Sequence, residues 1–196
     1  MDASGASSSS AADPINSSSH GVFINHRGPD TKKTFATHLY RRLFERGLKP
    51  FLDQEELKVG FNFPSQILGA IRSARVHVAI FSPTYAHSQW CLDELSLMLE
   101  SGAPIIPIFF QVDPADLRWT DQKKKGVYAK ALNELQMKTR DDLQTDEKKP
   151  RYDSATLQKW RKALSDVADI GGFDLKGKFN GWDIQLLLYG YNIYNM

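Results

Sequence analysis

Val76-His77-Val78-Ala79-Ile80-Phe81, then Ser82-Pro83-Thr84-Tyr85-Ala86, then Ser88-Gln89-Trp90-Cys91-Leu92-Asp93-Glu94-Leu95 is the stretch on which the fold turns. Its first six residues are almost continuously apolar, the pattern of a strand buried on both faces of a parallel sheet. Proline and small polar residues close the strand. Ser88 is placed to cap a helix over residues 88–101, because its hydroxyl can accept from an N–H left unpaired in the first turn. Gly102 stops that helix. Strand, loop and helix in this order make one βα unit.

The unit repeats on either side. Gly21-Val22-Phe23-Ile24-Asn25 is a short apolar strand, followed by a helix over residues 33–46 with Phe35, Leu39, Leu43 and Phe44 on one stripe and Gly47 at its end. Pro50-Phe51-Leu52 is the next strand, followed by a charged loop over 53–62 and a helix over 63–73 with Ile67, Leu68 and Ile71 inward. Downstream, Ile105-Ile106-Pro107-Ile108-Phe109-Phe110 reads as a buried strand despite its proline. A helix over 126–138, a polar, charged stretch over 139–153 and a helix over 154–170, terminated by Gly171-Gly172, complete the series.

Strands alternating with helices imply right-handed crossovers and a parallel sheet covered on both faces. With about five strands expected, the pattern is α/β and flavodoxin-like, with strand order 2-1-3-4-5. The winding then reverses between strands 1 and 3, and a crevice opens beyond their carboxyl ends. Residues 25–31 and 82–90 enter it, with 53–62 alongside.

Composition narrows the class. The chain has 196 residues, 41% of them hydrophobic, which suits one domain with tails. Residues 1–19 are Ser/Ala-rich and lack the basic and apolar regions of a secretory signal, so they read as a disordered tail before a domain over 20–176 and a short extension over 177–196. No apolar run is long enough for a membrane span. Net charge is +2, which announces no nucleic-acid partner; Lys123-Lys124-Lys125 is the one dense basic run and reads as a solvated loop. The single cysteine, Cys91, excludes an internal disulfide and fits a reducing compartment, the cytoplasm or the nucleus. His20, His26, His38, His77 and His87 lack metal-ligand spacing, so no metal is expected. Gly172 to Lys178 imitates a phosphate-binding loop until Phe179, where Ser or Thr is required.

At the expected crevice the first loop supplies His26, Arg27 and Asp30, and the third supplies Tyr85, Ser88, Gln89 and Trp90 and leads into Glu94. Trp90 and Glu94 fall one helical turn apart. An indole, a carboxylate and an arginine suit a ligand with an aromatic ring, a ribose and phosphates: the ring stacks, the guanidinium pairs with phosphate, the carboxylate holds hydroxyls. Were that ribose to carry a good leaving group, Glu94 could stabilise the oxocarbenium-like state of N-glycosidic cleavage. A structural role fits the same residues: Trp90 as a core aromatic, Glu94 as a first-turn acid complementing the helix dipole, Arg27 satisfying turn carbonyls.

Residues 21–31, Phe51-Leu52-Asp53 with Glu55-Glu56-Leu57 and Gly60, the 82–86 and 88–95 segments, Pro107 to Phe110 with Val112 to Arg118, and Trp160 to Leu164 together resemble plant Toll/interleukin-1 receptor (TIR) domains, in order and at normal spacing. The resemblance implies the flavodoxin-like fold. It also implies cleavage of NAD⁺, and of NADP⁺, to nicotinamide plus ADP-ribose or a cyclic isomer that signals in immunity, with NAD⁺ as substrate and no cofactor. The family's catalytic glutamate falls on Glu94, and its substrate-contacting arginine, serine and tryptophan on Arg27, Ser88 and Trp90. His26, where the family usually has phenylalanine, joins that binding set, and Pro29 stands where glutamate is usual. Activation by self-association is implied too, with Thr37-His38 at the position of the family's serine-histidine contact. The chain resembles a TIR-only protein, with an apolar, aromatic 177–196 outside the family pattern. The competing expectation is a non-enzymatic adaptor working through homotypic contacts; a nucleic-acid partner has only the Lys123–Lys125 run behind it.

Overall fold

Alternation of apolar strands and amphipathic helices resolves into a three-layer α/β domain in the computed structural model, which describes residues 21–31, 35–52, 65–118, 126–141 and 148–175. The tail over 1–19, the loop over 53–62, the Lys123–Lys125 run, the extension over 177–196 and the expected starts of two helices at 33 and 63 lie outside the described residues.

Strands β1 (Val22–His26), β2 (Pro50–Leu52), β3 (Val76–Phe81) and β4 (Ile105–Phe110) pair in parallel with a late strand, β7 (Phe173–Leu175), in the order β2-β1-β3-β4-β7. Counted within the sheet, this is the expected 2-1-3-4-5 order. The fifth place is filled by only three residues, too short a run to carry a periodicity signal. Between β4 and β7 the polar stretch over 139–153 contains a small antiparallel ribbon, β5 (Thr139–Asp141) with β6 (Lys148–Pro150), which its charged composition concealed.

Helices α1 (Gly28–Thr31), α2 (Thr37–Glu45), α3 (Ser65–Ser73), α4 (Gln89–Ser101), α5 (Pro114–Leu117), α6 (Val127–Met137) and α7 (Ser154–Ala168) complete the described elements, with a 3₁₀ turn at Tyr85–His87. One face of the sheet packs on α3, α4, α6 and α7, through Phe23, Ala79, Phe81, Leu92, Leu95, Tyr128, Leu132, Trp160 and Leu164. The opposite face packs on α2 through Ile24, Phe35, Leu39, Leu43, Val78 and Ile80. The helix after β1 and the helix after β3 therefore lie on opposite faces, and the sheet changes winding between those two strands.

Three local expectations are corrected. Phe44 is 64% exposed, not part of the inner stripe: Phe35, Leu39 and Leu43, four residues apart, already complete the buried face, and Phe44 lies one step further round, stacked on Tyr40. In α3, Leu68 is only half-buried, and Ala70 joins Ile67 and Ile71 inside. Helix α7 ends at Ala168, where the N–H groups of Asp169 and Ile170 turn back to Asp166 and Val167, so Gly171-Gly172 is not its stop. Gly172 instead passes close to β4, since a Cβ there would lie 2.5 Å from the Pro107 carbonyl oxygen and 2.9 Å from the Phe109 ring. The pairing of β7 begins only at Ile108 with Phe173. Pro107, which has no N–H to donate, thus occupies the point where a ladder bond on that side is not needed.

Candidate functional site

The parallel register of β1 with β3, Val22 opposite Val76 through His26 opposite Ile80, brings the ends of both strands level. Helix α4 starts directly above them. Ser88 caps it, its Oγ accepting the Cys91 N–H at 3.3 Å, and Gly102 closes it in the left-handed conformation with φ 74°. Counting from Gln89, Glu94 lies in the second turn. That removes the dipole-complement role, because the effect fades beyond the first turn.

Glu94 is 6% exposed and set in a polar network. Its Oε2 accepts from Asn25 Nδ2 at 2.7 Å. The Tyr85 hydroxyl donates to Asn25 Oδ1, and the Cys91 carbonyl lies 3.0 Å from the same oxygen, sharing its one proton. The buried carboxylate is thereby supplied with a donor, as a buried polar group requires. Asn25 was not among the candidate residues. The sequence clue was an asparagine closing an otherwise apolar strand, since a buried amide must find partners.

The first and third loops are tied together. The Asp30 carboxylate accepts from the Ser82 hydroxyl, from the Thr84 hydroxyl and from the Thr84 N–H at 3.2 Å. Burial pushes the Asp30 carboxyl up, but hydrogen bonds from Ser82 and Thr84, with the nearby Arg27 charge, more than offset this and leave it below its ordinary value. His26 is buried, its Nδ1 3.0 Å from Thr31 Oγ1. Thr31 in turn donates to the Arg27 carbonyl. Arg27 is partly exposed, and its Nε is buried without a hydrogen-bond partner among the described residues. Ser88 and Trp90 are both partly buried at the start of α4.

The outer side of α4 is pinned by α7 and the residues before it. The Trp160 indole N–H donates to Asp93 Oδ1 at 2.8 Å, Tyr152 packs edge-on against the Trp160 ring, and the Tyr152 hydroxyl donates to Gln89. Burial raises the Asp93 carboxyl, partly countered by the Trp160 bond and the Lys159 charge. Cys91 is buried, and its thiol is pushed up to about 12, first by desolvation and then by the Glu94 charge. That excludes it as a thiolate nucleophile.

His26, Arg27, Ser88, Trp90 and Glu94 thus lie on the segments that meet at the carboxyl ends of β1 and β3. Thr37 and His38 do not join them. They lie on α2, against the other face of the sheet, with Thr37 partly buried and His38 exposed. Among the described residues no group of His, Cys, Asp and Glu has the make-up of a metal site, and no helix is long and apolar enough to cross a membrane.

Comparison with known proteins supplies the context. Residues 19–185 match the family model described as "TIR domain". The chain is 36% identical over 158 residues to TMV resistance protein N of Nicotiana glutinosa, a match spanning 79% of this chain and 12% of that protein. It is 50% identical over 100 residues to the protein named "Probable 2' cyclic ADP-D-ribose synthase BdTIR" of Brachypodium distachyon, spanning 51% of this chain and 45% of that one. Among solved structures, the TIR domains of the activated Roq1 resistosome directly recognizing the pathogen effector XopQ superpose with a TM-score of 0.69 at 36% identity, covering 88% of this chain and 99% of that one. The chain therefore spans less than half the length of either relative but nearly all of the solved TIR domain.

Proposed function

The chain belongs to the TIR domain family, and from that premise we propose that it cleaves NAD⁺, and NADP⁺, at the nicotinamide–ribose bond, giving an immune signal. The products are nicotinamide and either ADP-ribose or a cyclic isomer of it. The observation that carries this is the Glu94 carboxylate, buried at the point where the sheet changes winding and held by Asn25 at 2.7 Å.

In the reaction the bond between ribose C1 and the pyridinium nitrogen breaks, and its electron pair leaves with the nitrogen as neutral nicotinamide. The departing group starts cationic, so no general acid is needed. Positive charge develops on the ribosyl ring, and a fixed carboxylate nearby lowers the energy of that state. Water, or a hydroxyl of the same substrate, then attacks C1 and gives up a proton. Arg27 pairs with the pyrophosphate, because the charge and fork of a guanidinium match a phosphate. Trp90 stacks on a ring, and Ser88 and His26 line the binding set. Self-association through Thr37 and His38 completes the active state. Similarity to a relative named as a cyclic ADP-ribose synthase supports this chemistry.

Following nicotinamide release from NAD⁺ tests the reading. Glu94→Ala is expected to lower the rate at least ~100-fold, the scale for losing a principal charge stabiliser. Equal rates in the two proteins would remove Glu94 from the mechanism, and no turnover by the unaltered protein at any concentration would leave an adaptor.

A further inference from the structure

We propose that Asn25 and Tyr85 are positioning residues, forming a clamp by which the sheet and the third loop hold the Glu94 carboxylate in its reactive orientation; this rests on the role of Glu94 proposed above. An ionised carboxylate only accepts hydrogen bonds, so the Asn25 atom 2.7 Å from Glu94 Oε2 is the donor, Nδ2. Oδ1 then faces the Tyr85 hydroxyl, which must donate to it. Each partner dictates the role of the next, and turning the amide over would break both bonds at once.

The clamp is built from rigid parts. Asn25 is 1% exposed and lies in β1, between β2 and β3, opposite Ala79. Its amide is fixed by the strand that carries it. The Tyr85 ring is fully buried, with ring centroids 4.8 Å from Phe81 and 6.4 Å from Tyr128. Desolvation holds its phenol well above the ordinary value, so it remains a protonated donor. The Cys91 carbonyl, 3.0 Å from the same oxygen, shares that proton, which ties the hydroxyl to the first turn of the helix that bears Glu94. A charge-assisted bond to a carboxylate, made by a group that is itself locked, is how a reactive side chain is kept aimed before substrate arrives.

The test uses the full chain and steady-state nicotinamide release. In Asn25→Asp the shape of the side chain is kept, but the donor becomes a second carboxylate beside Glu94. At about pH 7.5 kcat should fall at least ~10-fold with KM within about twofold, the signature of lost transition-state stabilisation. On acidification the two carboxyls share one proton, the introduced group donates again, and part of kcat returns. Tyr85→Phe keeps the ring and should lower kcat several-fold with KM unchanged. Parent-like kcat in both variants overturns the clamp. A readout independent of turnover separates the two ideas: the Asn25 Nδ2 proton signals in NMR should be downfield, slow to exchange, and displaced in Glu94→Gln. Signals indifferent to Glu94→Gln overturn the clamp even in an active protein. Displaced signals in a protein whose nicotinamide release is indifferent to Glu94→Ala uphold the clamp and sink the catalytic role instead.

Discussion

Gly172 and Gly171 are neighbours with opposite tolerance. A methyl group at Gly171 meets nothing within 4 Å, whereas at Gly172 it meets the Pro107 backbone oxygen at 2.5 Å, and backbone does not yield as a flexible side chain does. Gly172→Ala should therefore cost about 1–3 kcal/mol, the range for forced overpacking, and Gly171→Ala far less, as read from urea midpoints. His77 makes a prediction about acid. Its Nε2 is 2.8 Å from Ser101 Oγ, its Nδ1 is buried without a partner among the described residues, and desolvation pulls the imidazole down from 6.5 to about 4. The folded state resists a proton that the unfolded chain accepts, so the His77 contribution is whole above about pH 6.5 and is lost as pH falls toward about 4. Between about pH 7 and about pH 5 the loss should be roughly 2 kcal/mol, and His77→Gln should flatten that part of the stability profile. At this scale residue type and spacing singled out Glu94, Arg27 and Trp90 as candidates. Asn25 was not, because its importance lies in a carboxylate 69 positions away.

The elements were legible where local chemistry and packing agreed. Helix α4 begins and ends where Ser88 and Gly102 indicate, since a cap and a left-handed stop are local devices. Ser88→Ala should lower stability by about 1 kcal/mol through loss of the cap, seen as a drop in thermal midpoint with the fold otherwise intact by circular dichroism; an unchanged midpoint would show that the cap bond contributes nothing. Helix α5 escaped notice because it is four residues long, though Asp113, Pro114 and Asp116 are a capping-box start, with Asp116 accepting the Asp113 N–H at 3.0 Å. The β5–β6 ribbon and β7 escaped for a related reason. Three residues carry no period, and what stabilises β7 is its pairing with β4, which lies far away in sequence.

Across the molecule the two faces of the sheet separate two proposed tasks. Glu94 and its binding set stand at the carboxyl ends of β1 and β3, on the α4 side, while Thr37 and His38 lie on α2, across the sheet. His38→Ala should accordingly weaken assembly without touching the substrate site. Its turnover should match the parent at high protein concentration and fall behind on dilution, in step with the oligomer fraction measured by light scattering. A deficit that persists undiminished at high concentration would place His38 in the site rather than at a contact. The sequence by itself determined the class of fold, the order of the principal strands and the end of the sheet at which the candidate residues lie. Apolar runs, caps and crossover handedness are local or generic, and each is written in a few adjacent residues. Only the tertiary structure decided that Phe44 faces outward, that Gly172 serves the sheet rather than a helix end, and that Asn25 bonds Glu94 on one side and Tyr85 on the other. Those outcomes depend on atoms brought together from distant segments, and no spacing along the chain encodes a distance across it.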